Sequence, residues 1–177
     1  MKIILMDLDG VICDSRHRAH LVPPEDKRHC NEAWHPFVAE CVNDAPIPAG
    51  LEMLNALLCT TPVFIITSRQ ENFSQQTGQW LEGRVPGTQS PEIIYRANDD
   101  HRPPAEYKRH TLRKLVAQGY EILFAIDDDP QIVEMYQQES IATYQPFTRC
   151  ASVTQATPQR EDFVGHRSTE TDVTAGK

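Results

Sequence analysis

The sequence predicts an α/β fold, a Rossmann-like open parallel sheet with helices on both faces and a minimal cap insert. Two observations carry that expectation. Short apolar runs rich in branched side chains alternate with stretches of helical periodicity along most of the chain, and this alternation implies parallel strands joined by crossover helices. Three of the runs also stop abruptly in polar residues, at Asp7-Leu8-Asp9-Gly10, at Thr67-Ser68-Arg69 and at Asp127-Asp128-Asp129. In open α/β sheets ligands bind beyond the carboxyl ends of the strands. No internal repeat interrupts the pattern.

Residues 2–6 read as a buried strand that ends in two acids and a glycine. Carboxylates on a buried strand end repel each other and lose hydration, so they need a compensating charge. A divalent cation supplies it, and oxygen ligands favour Mg²⁺. Gly10 lets the backbone turn away sharply, so that Asp7 and Asp9 can serve one site. The plainer alternative is a strand followed by an acidic turn. A calcium loop fits worse, because Val11 breaks the repeating acid pattern at once.

Residues 13–47 follow with no further clear strand. Arg16, His17, Arg18, His20, Lys27, Arg28 and His29 gather here, partly offset by Asp14, Glu25 and Asp26. Pro23-Pro24 interrupts any helix, whereas 32–42 has a helical pattern in Trp34, Phe37, Val38 and Cys41. An insertion this long, straight after a strand that ends in acids, predicts a small lid. A packing helix and solvated loops account for most of it, and only the basic residues nearest Asp9 suggest a function.

The remaining elements come in regular order. A helix is predicted over 48–58, a strand over 62–66 and a helix over 70–81. A loop over 86–91 leads to a strand over 92–95, then a polar turn over 98–104. A helix over 106–118 carries Lys108 near its start and stops at Gly119. The strand over 121–126 precedes a helix over 130–139, with Asp129 as its cap and Pro130 at its first position. A last strand is predicted over 141–144. From 151 the chain lacks apolar periodicity and is expected to be a flexible tail, so the domain is taken as 1–150 with the insert at 13–47.

Composition narrows the classes. At 177 residues and 40% apolar content the chain fits one ordinary domain, and no run is long enough to span a bilayer. The amino terminus carries no secretory signal pattern, and a cytoplasmic protein with no membrane partner is expected. Five scattered cysteines without a CxxC pair argue against a disulfide framework or zinc. Cys13 lies near the acids but reads as a small packing residue. A net charge of −8 argues against an extended nucleic-acid footprint, though not against contact with a strand end.

Taken together, the strand ends offer two acids, a hydroxyl and a further acid pair, and Lys108 adds a cation. Lys108 could be an exposed residue and Thr67 a simple strand end. Phosphoryl transfer, however, needs this set around one cation. Metal and lysine offset charge on the phosphoryl oxygens, one carboxylate attacks phosphorus, and another protonates the leaving oxygen and later activates water.

Asp7-Leu8-Asp9-Gly10-Val11 resembles the first signature of the haloacid dehalogenase (HAD) phosphohydrolase superfamily. Thr67, Lys108 and Asp127-Asp128 stand where its other three signatures fall, and the likeness covers residues 1 to about 146. Thr67-Ser68-Arg69-Gln70-Glu71, Arg96 with Asp100-His101-Arg102, and 125–128 through Val133-Glu134-Met135 are similar to the phosphatase domains of bacteriophage polynucleotide kinases. The resemblance implies Asp7 as nucleophile and Asp9 as general acid/base. Thr67 would hold a phosphoryl oxygen and Lys108 would stabilise nucleophile and phosphate. It implies Mg²⁺ held by Asp7, Asp127, Asp128 and the backbone carbonyl of Asp9. Gly10, Ser68, Arg69, Arg96 and Arg102 become substrate contacts.

There are departures. Ser68 replaces the usual glycine of the second signature, Pro103-Pro104 replaces a charged pair, and no G-x-x-x-x-G-K-[ST] kinase motif occurs. The expected activity is a Mg²⁺-dependent phosphomonoesterase acting on a nucleotide or a nucleic-acid 3′-phosphate end. A 5′-deoxynucleotidase or other small-metabolite phosphatase is the alternative enzyme. A phosphoreceiver-like signalling domain fits less well, because the middle strand ends in Thr67 and not in a phosphoacceptor acid. A binding protein without activity is disfavoured, since no catalytic position is lost.

Overall fold

A computed structural model describes residues 1–85 and 89–146. The expected tail at 151–177, the end of the expected domain at 147–150 and the first half of the 86–91 loop lie outside the described residues. The elements in chain order are β1 (Lys2–Met6), β2 (Cys13–Asp14), α1 (His35–Ala39), β3 (Ala45–Pro46), α2 (Pro48–Leu58) and β4 (Val63–Gln70). They continue with α3 (Ser74–Leu81), β5 (Glu92–Arg96), α4 (Pro104–Ala117), β6 (Glu121–Ile126), α5 (Pro130–Gln138) and β7 (Thr143–Tyr144).

Five strands form a parallel sheet in the order β5-β4-β1-β6-β7. β1 is central because it is apolar on both faces. Ile4 and Met6 point one way and Ile3 and Leu5 the other, all at most 2% exposed. On the first face they pack with Leu54 and Leu58 of α2 and Trp80 of α3. On the second they meet Leu112 and Leu115 of α4 and Ile132 and Met135 of α5. Each such buried side chain contributes roughly 1.5–3 kcal/mol. The expected parallel sheet with helices on both faces is therefore what the chain adopts.

Register explains why the three polar strand ends converge. Met6 is paired with Ile65 on one side and Ile126 on the other. The residues that follow, Asp7, Thr67 and Asp127-Asp128, thus emerge together at the carboxyl edge. The chain winds from β1 outward to β5 and then crosses back to β6, so this edge includes the switch point where crevices form.

Four boundaries differ from expectation by two residues or more. β4 runs on to Gln70: Thr67, Arg69 and Gln70 are buried although polar, Arg69 through ion pairs with Asp9 and Asp44, and an apolar pattern cannot reveal that. Its pairing with β5 slips between Ile66 and Gln70, a local irregularity at Thr67 to Arg69, and helix α3 accordingly starts only at Ser74. α4 begins at Pro104 and not at 106, proline being well suited to a first helical position. Lys108 therefore lies more than a turn into that helix. The last strand covers only Thr143–Tyr144.

Residues 13–47 fold into short turns and not into one helix over 32–42. Five-residue α1 is flanked by 3₁₀ turns at Asn31–Trp34 and Glu40–Asn43, with two more at Arg16–Leu21 and Glu25–Lys27. The antiparallel pair β2–β3 closes its base.

Candidate active site

Asp7 follows β1 directly, and its backbone N–H donates to Ile126 O at 2.8 Å, which ties it to the neighbouring strand. Leu8 next to it is fully buried in the core, so Asp7 and Asp9 both turn to the crevice. Gly10 then takes φ +79°, and a Cβ there would stand 2.0 Å from Asp128 Oδ2. Only glycine satisfies both demands, the left-handed backbone and the close approach of Asp128. The expected sharp exit at Gly10 is thus a real feature, and it also makes room for the second acid pair.

Lys108 lies 1% exposed beneath these acids, with Nζ 2.7 Å from Asp7 Oδ1 and 2.6 Å from Asp127 Oδ2. Carboxylate oxygens of Asp7, Asp127 and Asp128 fall within 4.8 Å of one another. Three acids here meet one ammonium, which leaves two negative charges in excess. Burial, followed by the charges of Asp127 and Asp9, pushes Asp7 up to about 7 despite Lys108. Burial, then Asp7, raises Asp128 to about 6. Both shifts follow from an anionic site with too little compensating charge, and its oxygen donor set fits a divalent cation. Asp129 caps α5 as expected, its Oδ1 accepting from Gln131 N at 2.8 Å.

Asp9 behaves differently. Arg69 donates through Nε to Oδ2 at 3.0 Å and through Nη2 to Oδ1 at 2.8 Å, and Arg18 donates to Oδ1 as well. Burial pushes Asp9 up, but Arg69 and then Arg18 overcome it and hold the acid down at about 2. Arg69, expected against substrate, is turned inward. Its remaining donors reach Thr77 Oγ1 at 3.1 Å and Asp44 Oδ2 at 2.9 Å. A second triplet, Asp9, Cys13 and Asp44, also lies at ligand spacing. Its carboxylate oxygens already accept from the two guanidiniums, so arginine and not metal occupies that corner. Burial raises the Cys13 thiol well above its ordinary range, in keeping with a packing role.

Thr67 is 1% exposed, and its Oγ1 accepts from Arg69 N at 3.2 Å. Ser68 receives Arg96 Nη2 at 3.4 Å, while Arg96 Nη1 donates to Arg102 O at 2.8 Å. Arg102 pairs with Asp100 at Nε–Oδ1 2.9 Å. Ser68, Arg96 and Arg102 line a cleft of about 530 Å³ together with Asp9 and with Arg28, Trp34 and Phe37 of the insert. The insert docks through Asn31, whose Nδ2 donates to Asn98 O at 2.9 Å and Asp100 O at 3.0 Å.

Two residues were not singled out from the sequence. Arg18, one of many basic residues in the insert, is fully buried against Asp9. Asp44, a solitary acid before β3, has no exposed side-chain surface and holds both arginines. The cluster of Arg16, His17 and Arg18 hinted at the first. Nothing in the local pattern marked the second.

Strand-end acids gathered around a buried lysine fit the resemblance to HAD-type phosphatases, and this chain is an enzyme of that class. More narrowly, residues 1–147 match the family described as the polynucleotide kinase PNKP phosphatase domain, and the chain belongs to that family. No protein of curated function matches the sequence. Among solved structures, a chain of the Pnkp1/Rnl/Hen1 RNA repair complex superposes with a TM-score of 0.64 at 17% identity. That match covers 82% of this chain and 42% of the other, so the chain spans less than half of that neighbour. A haloacid dehalogenase-like hydrolase from Streptococcus pneumoniae gives 0.55 at 14% identity, covering 80% and 82%. A HAD family enzyme from Bacteroides thetaiotaomicron, solved with magnesium and inorganic phosphate, gives 0.50 at 15% identity, covering 83% and 94%. Among the described residues no helix is long and apolar enough to cross a membrane.

Proposed function

We propose that the protein is a Mg²⁺-dependent phosphomonoesterase that works through an aspartyl-phosphate on Asp7, acting on a nucleotide or a nucleic-acid 3′-phosphate end. One observation carries this reading: Asp7 is aimed into the crevice by Lys108 at 2.7 Å, with Asp9 two residues on facing the same space. Family membership supports the substrate class.

Asp7, Asp127 and Asp128 would hold the Mg²⁺, together with the Asp9 carbonyl. When bound, the cation offsets charge on the carboxylates and on the phosphoryl oxygens. An oxygen of Asp7 attacks phosphorus and the P–O bond to the leaving group breaks; Asp9, ionised in the free protein, takes the proton of the incoming ester monoanion and gives it to the departing oxygen. In the second half Asp9 takes a proton from water, whose oxygen attacks the aspartyl-phosphate, releasing phosphate and restoring Asp7. Lys108 opposes the charge on Asp7 and Thr67 Oγ1 is the hydroxyl for a phosphoryl oxygen. Arg96 and Arg102, with Ser68, face the leaving group. Arg69 acts on Asp9.

A mononucleotide phosphatase is the second reading, favoured by the net charge of −8. A hydrolysis panel separates the two. Nucleoside 3′- and 5′-monophosphates, 3′-phosphorylated oligonucleotides and sugar phosphates are compared by kcat/KM with Mg²⁺ present. Preference for 3′-phosphates is expected. Preference for 5′-monophosphates would move the second reading ahead, and no turnover of any ester would sink both.

A further inference from the structure

The cleft of about 530 Å³ beside Asp9 is lined by four arginines against two acids, Asp9 and Asp129, in a chain whose net charge is −8. Two of the four are already paired, Arg69 with Asp9 and Asp44, and Arg102 with Asp100. Arg28 and Arg96 form no ion pair among the described residues. Arg28 is exposed at the end of the turn Glu25–Lys27, and its Nε donates to Pro23 O at 3.2 Å, which leaves its two terminal nitrogens uncommitted. Arg96 and its register partner Gln70 carry buried polar atoms, Arg96 Nε and Gln70 Oε1, that have no hydrogen-bond partner. Buried polar atoms are normally paired, so this wall holds capacity that the fold does not use. Trp34, half-buried on the same cleft, is fixed by its indole N–H, which donates to Arg28 O at 2.9 Å, and by an edge-on contact with Phe37 at 5.6 Å. In that geometry Phe37 covers at most one face of the indole.

We propose that this cleft takes a nucleoside 3′-phosphate that carries a second phosphate on its 5′ side, with the base against Trp34 and the second phosphate on Arg28. The inference rests on the reading of the protein as a 3′-phosphatase of nucleotides or nucleic-acid ends. On that reading the leaving oxygen lies at Asp9, and the nucleoside behind it fills the space that Asp9 helps to line. The volume suits one nucleoside and not a longer stretch of strand, since pockets for small ligands span about 300–1,000 Å³. A guanidinium holds phosphate oxygens in pairs through its planar fork, and an indole face accepts any base by stacking. The bond from Trp34 to the Arg28 backbone fastens both contacts to one segment of the insert. A strand end supplies the second phosphate as a diester and a free nucleoside 3′,5′-bisphosphate supplies it as a monoester, and the recognition chemistry is shared.

Three substrates compared with Mg²⁺ present test it: a nucleoside 3′-monophosphate, the nucleoside 3′,5′-bisphosphate and a dinucleotide ending in a 3′-phosphate. The wild-type protein should favour at least one of the last two over the first by about tenfold in kcat/KM, the scale of one charge-assisted contact. The better of the two names the source, a strand end or a free nucleotide. Arg28→Ala, an exposed substitution of small cost to folding, should cut that preference to about twofold or less, through KM more than kcat. Trp34→Leu should raise KM for all three by about tenfold, and Trp34→Phe, which keeps a stacking ring, should recover most of the loss. Equal kcat/KM on all three in the wild type, or an Arg28→Ala loss shared equally by all three, overturns the proposal. Trp34→Phe as impaired as Trp34→Leu overturns the stacking role. Failure of the underlying substrate reading looks different: p-nitrophenyl phosphate would be hydrolysed and no nucleoside 3′-phosphate would be. Equal rates on the three 3′-phosphates would leave that reading standing and remove only the second-phosphate contact.

Discussion

Asp7 and Asp9 are two positions apart on one turn and are driven in opposite directions. Burial and neighbouring acids raise the first to about 7, whereas Arg69 and Arg18 outweigh burial and hold the second near 2. This split belongs to the metal-free protein; a bound cation would lower Asp7 and leave it ionised for attack. Asp7→Asn should abolish turnover while circular dichroism stays unchanged, since an amide cannot attack phosphorus. Asp9→Asn should slow turnover of a nucleotide by roughly 100-fold or more. Wild-type-like rates in purified Asp7→Asn would remove it as nucleophile. Arg96 and Arg102 belong to the same scale. With Arg96 on Ser68 and Arg102 on Asp100 at the cleft wall, Arg96→Ala and Arg102→Ala should raise KM for a 3′-phosphorylated oligonucleotide more than they lower kcat. p-Nitrophenyl phosphate, with no nucleoside, should be largely spared. Loss on both substrates alike would tie these arginines to the transferred phosphoryl group.

Among the elements, the turn from 7 to 13 does the most to build the site. It hangs from the end of β1, packs Leu8 into the core and is tightened by Gly10 N donating to Cys13 O at 2.8 Å. α2 presses on it from the other side, where a Cβ on Gly50 would meet Val11 O at 1.8 Å. With Gly10 in the left-handed region against Asp128, Gly10→Ala must displace that carboxylate and costs about 1–3 kcal/mol in backbone strain. The expected result is at least about a tenfold higher Mg²⁺ concentration for half-maximal activity, on the scale of losing a well-placed ligand or its support. An unchanged Mg²⁺ requirement would mean that Asp128 does not take part in holding the metal. The insert contributes less regular structure, yet its 3₁₀ turns carry Arg18 to Asp9.

The whole molecule should register the excess charge of its acid cluster as a pH-dependent stability. In metal-free protein Asp7 and Asp128 have folded pKa values raised to about 7 and about 6 from an ordinary 3.8. Raised acids contribute stability that is complete below about pH 4 and is lost as pH climbs through 6 to 7. Each unit is worth about 1.4 kcal/mol, so the combined loss is on the order of a few kcal/mol. Asp9 works oppositely, its contribution present above about pH 4 and lost as pH falls toward 2. Thermal unfolding in EDTA should show Tm falling between pH 5 and pH 8, and Mg²⁺ should raise Tm most at pH 8. A Tm in EDTA that is flat over that range, with no Mg²⁺ response, would contradict a metal site at Asp7, Asp127 and Asp128.

Much of this was legible in the residues alone. Apolar runs such as Lys2–Met6 and Glu121–Ile126 determined the sheet, because strands buried on both faces read as continuous hydrophobic stretches. Their abrupt polar ends marked Asp7, Asp9, Thr67, Asp127 and Asp128, since polar groups on buried strands demand a reason. The 3₁₀ turns of residues 13–47 were not legible, because they have no strong sequence period. Tertiary structure alone decided where the arginines go. Nothing local distinguishes Arg18 from Arg16, yet one is buried on Asp9 and the other lies on the surface with Asp14. Asp44 lies 26 residues from Arg18 and 25 from Arg69 in the chain, and charge pairing over such separations leaves no pattern along it. Periodicity reports which face a residue shows to the core, whereas the partner of a buried charge is set only when separate elements close on one another.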